Sequence, residues 1–176
     1  TRPIYEIYPI YTDFPSYPLF QPRVQKSQQA SNTDMQKSKD WLDTVAKWYG
    51  GAITAGSDHG YLVSKGLTQY ASLLREYTDD KGTRWLVIPL SDSDGCIKSY
   101  QVINEAGRKL YAGSSKGRYF LINGTLSGKA KKPTDIYICE GLATGLSIHA
   151  GNPDRFIAVC LDAGNLADGA SAVKRT

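Results

Sequence analysis

Residues 135–166, DIYICEGLATGLSIHAGNPDRFIAVCLDAGNL, decide the fold that the sequence predicts. The run at 135–139 is typical of a buried strand, and residues 142–150 form a helix in which Leu142 and Leu146 share one face. Asn152-Pro153 ends that helix, and a second apolar run covers 156–161. Residues 162–165 form a turn, and a last helix covers 166–174. This alternation with short connections predicts a parallel sheet.

The preceding part of the chain predicts a different kind of sheet. Strand-like runs cover 73–74, 84–90, 97–103, 108–112 and 119–122, with Gly-containing turns at 92–95 and 106–107. These features predict a small, mostly antiparallel sheet. A helix precedes it, because apolar residues repeat with a 3.6-residue period from Trp41 to Tyr49 until Gly50-Gly51 stops them. A short helix within 57–67 ends at Gly66.

Three segments follow from these patterns. Residues 1–38 hold five of the eight prolines among Tyr, Ile and Phe and then turn polar, which predicts an extended arm and a linker or frayed helix start. Residues 39–132 form the mostly antiparallel subdomain, and the basic loop at 128–133 is the best internal boundary. Residues 133–176 form a partial α/β unit. The predicted class is therefore α+β with a parallel β-α-β-α end.

The composition fits one globular domain that is part of a longer protein. The chain has 176 residues, 41% apolar and 22% charged, and no apolar run nears the about 18 residues that cross a membrane. It begins with Thr1, and its only methionine is Met35, which predicts a fragment. Cys139 and Cys160 lie in apolar strands, so we expect buried free thiols and a reducing cytoplasm. No cysteine spacing suits zinc.

Positive charge is concentrated in the middle of the sequence. Residues 83–132 hold nine Lys or Arg and three acids, a local net charge of +6 against +4 for the whole chain. A basic segment beside a neutral one is typical of a polyanion partner. A solvated basic face without a partner is the alternative.

Two carboxylates follow the two predicted parallel strands. Glu140 follows the first strand and Asp162 the second, and ligands of parallel sheets bind at these carboxyl ends. Gly141 allows a backbone or phosphate to approach closely. Hard oxygen ligands beside basic residues suit Mg²⁺-assisted phosphoryl transfer. An acid at the start of a helix also has a purely structural role, because it complements the positive helix end.

Common motifs of competing α/β enzymes are missing. The sequence has no G-x-G-x-x-G after a strand, no G-x-x-x-x-G-K-[ST] and no G-x-S-x-G, which argues against a dinucleotide fold, a P-loop and a hydrolase nucleophile elbow. His59 and His149 lie far apart without a Cys or carboxylate at ligand spacing, and we expect structural or surface roles for both.

The order of motifs resembles the catalytic core of bacterial-type DNA primases, in the subgroup of plasmids and phages. IYICEGLATGLSIH (136–149) resembles the first motif of the TOPRIM domain, and DAGNL (162–166) follows it as in those primases. HGYLVSKGL (59–67), RWLVIPLSDSDG (84–95) and KLYAGSSKGRYFLING (109–124) are similar to upstream primase segments. The resemblance covers residues 58–176, and the fold it implies is a Rossmann-like TOPRIM sheet.

The resemblance also implies roles. Glu140 would be the TOPRIM glutamate, acting in acid/base chemistry or metal organisation. Arg84 and Lys109 would line the template and nucleotide surface, with Lys116 and Arg118 as looser candidates. Gly141, Asp162 and Asn165 would line the site. The implied cofactor is Mg²⁺ or Mn²⁺, and the implied partners are a single-stranded DNA template, ribonucleotides and a replicative helicase domain in the same or another chain.

One departure bears on activity. The family binds its metals through an Asp-x-Asp motif on the next strand, and Asp162-Ala-Gly-Asn165 matches that motif in neither sequence nor position. We therefore expect an incomplete metal site, an exposed sheet edge and no primer synthesis by this chain alone, although the parent protein would be a DNA-directed RNA polymerase of the primase type. The alternatives are a non-catalytic single-stranded nucleic-acid-binding module, in which Trp85, Tyr100, Tyr111 or Tyr119 stacks on bases, and a TOPRIM nuclease or topoisomerase.

Overall fold

Residues 32–123 and 135–175, which the computed structural model describes, form helices and strands in two sheets. In chain order the elements are α1 (Asn32–Gly51), β1 (Ile53–Thr54), α2 (Gly60–Lys65), a 3₁₀ helix (Thr68–Leu73), β2 (Arg75–Thr78), β3 (Arg84–Ser91), β4 (Ile97–Asn104), β5 (Lys109–Ala112), β6 (Phe120–Ile122), β7 (Ile136–Cys139), α3 (Leu142–Gly151), β8 (Phe156–Val159), a 3₁₀ helix (Ala163–Asn165) and α4 (Leu166–Arg175).

The first sheet is antiparallel throughout, in the order β1-β2-β3-β4-β5. The predicted turn at 92–95 joins β3 to β4, and Gly95 takes the positive φ of 75° that the turn requires. Gly107 does the same between β4 and β5, with φ of 82°. The strands predicted from 84, 97 and 108 onward are confirmed.

The two faces of this sheet are covered by different layers. On one face, Trp85, Val87 and Val102 pack with Val45 and the half-buried Trp48 of α1. This packing confirms the helix that the tryptophan spacing predicts. The other face carries Leu86, Ile88, Leu90 and Ile103, which join the second sheet in one hydrophobic cluster with Ile122, Leu142, Leu146, Ile157 and Val159. Residues of both sheets therefore share a core.

One predicted strand is wrong. Residues 73–74 lie at the end of the 3₁₀ helix Thr68–Leu73, and the strand begins only at Arg75. The apolar character of this segment reflects burial of Ala71 and Leu74 in the core rather than strand pairing. Periodicity does not separate these cases over so few residues.

The second sheet has the order β6-β8-β7. The predicted parallel pair is confirmed, because Cys139 of β7 lies opposite Val159 of β8. The assignment of 119–122 to the antiparallel sheet is wrong. Tyr119 forms an isolated bridge to Ser91, after which β6 runs antiparallel to β8 with Leu121 opposite Ala158. The predicted α+β class is confirmed, with a mixed second sheet.

Helices cover both faces of the second sheet. Leu142 and Leu146 of α3 are fully buried with Ile157 and Val159, as the four-residue spacing predicts. Gly145 allows close packing, since a Cβ there would lie 2.6 Å from the Val159 side chain. On the opposite face, Ala158 packs with Ala172 and Val173 of α4.

Strand β7 is not the buried strand that its composition predicts. Within the described ranges it pairs only with β8, so it forms an edge, and Tyr137 and Ile138 are 42% and 38% exposed. The predicted exposed edge of this sheet lies here.

Several expectations fall on other parts of the chain. Most of the arm predicted for 1–38 and the basic loop at 128–133 lie outside the described residues, whereas residues 32–38 are the start of α1.

Cys139 and Cys160 are buried free thiols, as predicted, and burial raises the pKa of each to about 11. Cys96 is exposed. Among the described residues, no helix is long and apolar enough to span a membrane.

Candidate functional site

Glu140 and Asp162 lie where the two parallel strands end. Cys139 and Cys160 precede these corners, and the Cys160 amide donates to the Cys139 carbonyl at 2.9 Å, which keeps the two strand ends side by side. Glu140 and Asp162 are both exposed. We call this pair the carboxylate edge. It occupies the position at which parallel sheets bind ligands.

The antiparallel sheet reaches the carboxylate edge through its own edge strand, β5. The Tyr111 hydroxyl donates to the backbone oxygen of Leu161 at 2.5 Å, and Leu161 is directly followed by Asp162. The Trp41 indole of α1 donates to the Tyr111 carbonyl at 2.9 Å, which fixes β5 from the opposite face. Tyr111 therefore connects the first sheet to the corner that carries Asp162.

The electrostatics of Tyr111 also report on the carboxylate edge. Partial burial raises the pKa of the Tyr111 phenol, and the negative charge of Asp162 raises it further. A hydrogen-bonding interaction with the Gln101 side chain lowers this pKa, and the charge of Glu140 raises it. Both carboxylates therefore act on the same hydroxyl. The Leu161 backbone has φ of 63°, a left-handed conformation that is unfavourable for a bulky residue. The Tyr111 bond holds this strained corner.

Gln101 and Lys109 lie on the same face of the first sheet as the Tyr111 side chain. Gln101 lies directly between Ile88 and Tyr111 in the sheet register, and Lys109 occupies the next row of β5, opposite Ile103. Residues two apart on a strand point to the same side. Lys109 is exposed, and it makes no ion pair within residues 32–123 and 135–175. It is available to hold a phosphate group.

Asn165 has a positioning role in this structure. Its amide oxygen accepts from the Gly117 amide at 2.7 Å, and its amide nitrogen donates to the carbonyls of Arg118 and Cys160, each at 2.9 Å. The side chain is buried and ties the 116–118 loop to the end of β8. Asp162 accepts from the Gly164 amide at 2.8 Å, which stabilises the turn. The DAGNL segment thus builds the corner as well as supplying a carboxylate.

The other predicted residues differ in their surroundings. The Arg118 guanidinium donates to the carbonyls of Ser114 and Lys98 at 2.7 and 3.1 Å, so backbone oxygens occupy part of it. Lys116 is largely exposed, 3.9 Å from Asp168. Among the described residues, a Cβ at Gly141 would meet only the Thr144 hydroxyl, at 3.7 Å, so a ligand could approach the backbone there.

Arg84 lies in a separate cluster of charges. Its guanidinium makes ion pairs with Asp58 at 2.9 Å, Glu76 at 3.0 Å and Glu105 at 3.2 Å. We call these four residues the Arg84 cluster. Hydrogen bonding to Asp58, together with Glu76, raises the pKa of Arg84, and Arg84 in turn lowers that of Asp58. A phosphate would have to displace these carboxylates to reach Arg84.

The carboxylate edge suits a hard cation only in part. Mg²⁺ is commonly held by one or two carboxylates, several waters and substrate phosphates. Glu140 and Asp162 would supply the carboxylates, whereas the described ranges contain no group of three or more His, Cys, Asp or Glu arranged to hold a metal. The Asp92-Ser-Asp94 sequence forms the β3–β4 turn, in which Asp92 accepts from the Asp94 and Cys96 amides at 3.0 Å.

Sequence reasoning missed Gln101 and the connecting role of Tyr111. Tyr111 was expected only as one of four aromatic residues that stack on bases, and it is the exposed member of that set. Trp85 and Tyr100 are buried in the α1 face, and Tyr119 is buried against α4. The signal that could have identified Gln101 is an isolated amide within the apolar run of a central strand.

No protein-family model and no curated protein matches this sequence. Among solved structures, the chain is similar to the primase fragment of the primase-helicase protein of bacteriophage T7, with 20% sequence identity and a TM-score of 0.40. The match covers 72% of this chain and 47% of the T7 chain. This likeness is too remote to assign a function.

Proposed function

We propose that this chain is part of a TOPRIM-type DNA primase core and forms a binding surface for single-stranded DNA and nucleotides. The supporting observation is the arrangement of the carboxylate edge. Two exposed carboxylates lie at adjacent strand ends, and Tyr111 connects their corner to β5, the strand that also carries the exposed Lys109. The TOPRIM-like and primase-like motifs lie in this part of the chain.

The charge of each residue in the site indicates its role. Lys109 would hold phosphate, and the more exposed Lys116 would extend the basic surface. Glu140 and Asp162 would hold Mg²⁺, which supplies charge stabilisation for phosphoryl transfer when bound. Asn165 and Tyr111 would keep the corners in place. We assign Arg84 to stability, because three carboxylates already bind it.

The test is binding of fluorescently labelled single-stranded DNA, followed by anisotropy at low and high salt. Each phosphate contact releases counterions, so Lys109→Ala should lower the slope of log affinity against log salt by about 0.7. Affinity at low salt should fall about three- to tenfold. Lys39→Ala, on the exposed side of α1, is the matched control and should leave both quantities unchanged. Equal losses in both variants would contradict the proposed surface.

Binding of a labelled nucleoside triphosphate, measured beside the DNA assay, separates an enzyme core from a binding module. With Mg²⁺ and a nucleoside triphosphate present, Glu140→Gln should weaken nucleotide binding while DNA binding persists. A nucleotide affinity that changes neither with Mg²⁺ nor in Glu140→Gln, together with intact DNA binding, would favour a non-catalytic module. We expect no primer synthesis by the purified chain, and Mg²⁺-dependent synthesis would refute that expectation.

A further inference from the structure

Gln101 is a buried amide whose hydrogen-bonding capacity is not met in the described part of the chain. It is 1% exposed, and neither its oxygen nor its nitrogen has a partner there at the distance and angle of a good hydrogen bond. Its interaction with the Tyr111 hydroxyl lowers the pKa of that phenol but leaves the rest of the amide unpaired. Buried polar side-chain atoms almost always have partners, and an unpartnered one is destabilising. An apolar residue of the same size would suit this strand better, so the amide needs another explanation.

The position of Gln101 suggests that explanation. On one side it adjoins the fully buried Ile88, and on the other it adjoins Tyr111, which is 37% exposed on the edge strand. The Tyr111 hydroxyl reaches the corner of Asp162, and Lys109 lies one row away. The amide thus adjoins the groups that would hold the phosphates and cation of a nucleotide.

We infer that Gln101 is a specificity-determining residue that reads the ribose hydroxyls of a bound ribonucleotide; this inference rests on the proposed function. A glutamine amide offers one oxygen acceptor and two N–H donors, and each hydroxyl of a vicinal diol both donates and accepts. The two chemistries are complementary. A deoxyribose lacks one hydroxyl and leaves part of the buried amide unpaired, and this kind of loss discriminates strongly between ligands.

The spacing favours the sugar over the base. Lys109 and Tyr111 are two residues apart, which places their side chains about 7 Å apart along the strand. In a nucleotide the ribose adjoins the phosphates, and the hydrogen-bonding edge of the base lies farther away. With a phosphate bound at Lys109, the neighbouring pair Gln101 and Tyr111 would contact the sugar.

The route from the sheet edge to the amide passes Tyr111. Gln101 lies one strand inward from the open edge, and Tyr111 lies between it and that edge in the register. The Tyr111 side chain is held at its tip by the hydrogen bond to Leu161. A nucleotide that comes from this edge therefore contacts the Tyr111 ring beside the amide, while the bond to Leu161 keeps the ring and the corner in place.

The experiment compares binding of Mg²⁺–ATP and Mg²⁺–dATP by calorimetry in the wild-type chain, Gln101→Met and Ile88→Met. Wild type should prefer ATP about tenfold, and Gln101→Met should bind both nucleotides with the affinity that wild type has for dATP. The melting temperature of unliganded Gln101→Met should stay unchanged or rise by about 2–4 °C, because an unpartnered amide is removed. Ile88→Met in the same row should keep the ATP preference.

Each other outcome has a definite meaning. A Gln101→Met variant that melts earlier and keeps the ATP preference would overturn the inference, since the amide would then be a structural group bound to water. A preference that follows the base, tested with GTP and CTP, would also overturn it. If Gln101→Met does not fold, Gln101→Glu replaces it, and an unchanged preference there is equally contrary. Loss of all DNA and nucleotide binding in wild type would instead refute the proposed function.

Discussion

The Arg84 cluster and the carboxylate edge differ in how their charges are satisfied. In the Arg84 cluster, one guanidinium is bound by three carboxylates, and the Gly56 amide donates to Glu76 at 3.1 Å. At the carboxylate edge, Glu140 makes no ion pair within the described ranges, and neither does Lys109 on the neighbouring strand β5. The first region is satisfied internally, and the second presents its charges to solvent.

This difference separates charges that are paired within the protein from charges that are open to a ligand. In the sequence, Arg84 and Lys109 look alike, since each is a basic residue at the start of a strand. Their neighbours, which come from distant parts of the chain, make one an internal counterion and leave the other available. Exposed charges without a partner inside the described ranges are therefore a better guide to a binding surface than the position of a basic residue in the sequence.

Removing the guanidinium of Arg84 should have the largest effect on stability. Arg84→Met leaves three carboxylates close together, with Glu76 almost fully buried. Loss of one partner of a buried ion pair typically destabilises a protein by several kcal/mol, and the partial exposure of Arg84 places this change at the lower end, about 3 kcal/mol. Urea unfolding measures it, and single-stranded DNA binding by the folded variant should be close to wild type.

Asp58→Asn is the control for the Arg84 cluster, because the Asp58 side chain is mostly exposed and its loss should matter much less. The comparison between the two regions would be wrong if Arg84→Met retained wild-type stability but lost DNA binding. Arg84 would then have the template role that the primase resemblance implies.

The histidine next to the Arg84 cluster should make stability depend on pH. Burial lowers the pKa of His59; the charges of Glu76 and Glu105 oppose this shift, and that of Arg84 adds to it. The unfolded chain therefore takes up a proton near pH 6.5 that the folded chain does not, so stability falls as the pH drops below about 6.5. The slope from this residue can reach about 1.4 kcal/mol per pH unit.

Urea unfolding at several pH values between 7.5 and 5 measures this slope. His59→Leu removes the titrating group from a fully buried position, so its stability should decline less over this range than that of wild type. Parallel curves for the two proteins would show that His59 is protonated equally in the folded and unfolded chains. The pH dependence would then have to come from the carboxylates.

Much of the fold follows from local sequence patterns. Three patterns involve only residues close together in the chain, so they can be recognised in the sequence. They are the spacing of the aromatic residues in α1, the glycine-containing turns, and the alternation of strands and helices after residue 135. The partner of β6 is not, because pairing with β8 joins Leu121 to Ala158 across a long stretch of chain. The exposure of β7 likewise depends on which strands lie beside it rather than on its own apolar residues.

The strand-end residues of the proposed site can be read from the sequence, whereas the residues on its sheet face cannot. Glu140 and Asp162 follow apolar runs, and a general rule on parallel sheets locates them. Gln101 and Tyr111 enter the site only because β5 borders the corner at Leu161, which is a tertiary contact. Asn165 was expected to line the site, yet its bonds to Gly117 and Arg118 show a positioning role that no local pattern encodes.

The smallest expected effect is also the most local. Tyr111→Phe removes the hydrogen bond to Leu161 with little change in volume, which should lower stability by about 1 kcal/mol. Because that bond holds a strained corner, hydrogen exchange should speed up at the Gly164 and Asn165 amides, which bond to Asp162, and not in α1. Tyr77→Phe is the matched control, since this ring stacks on Trp48 and its hydroxyl makes no hydrogen bond among the described residues. Unchanged exchange in Tyr111→Phe would mean that the carboxylate edge holds its shape without the first sheet, and the two sides of the proposed site would then be independent.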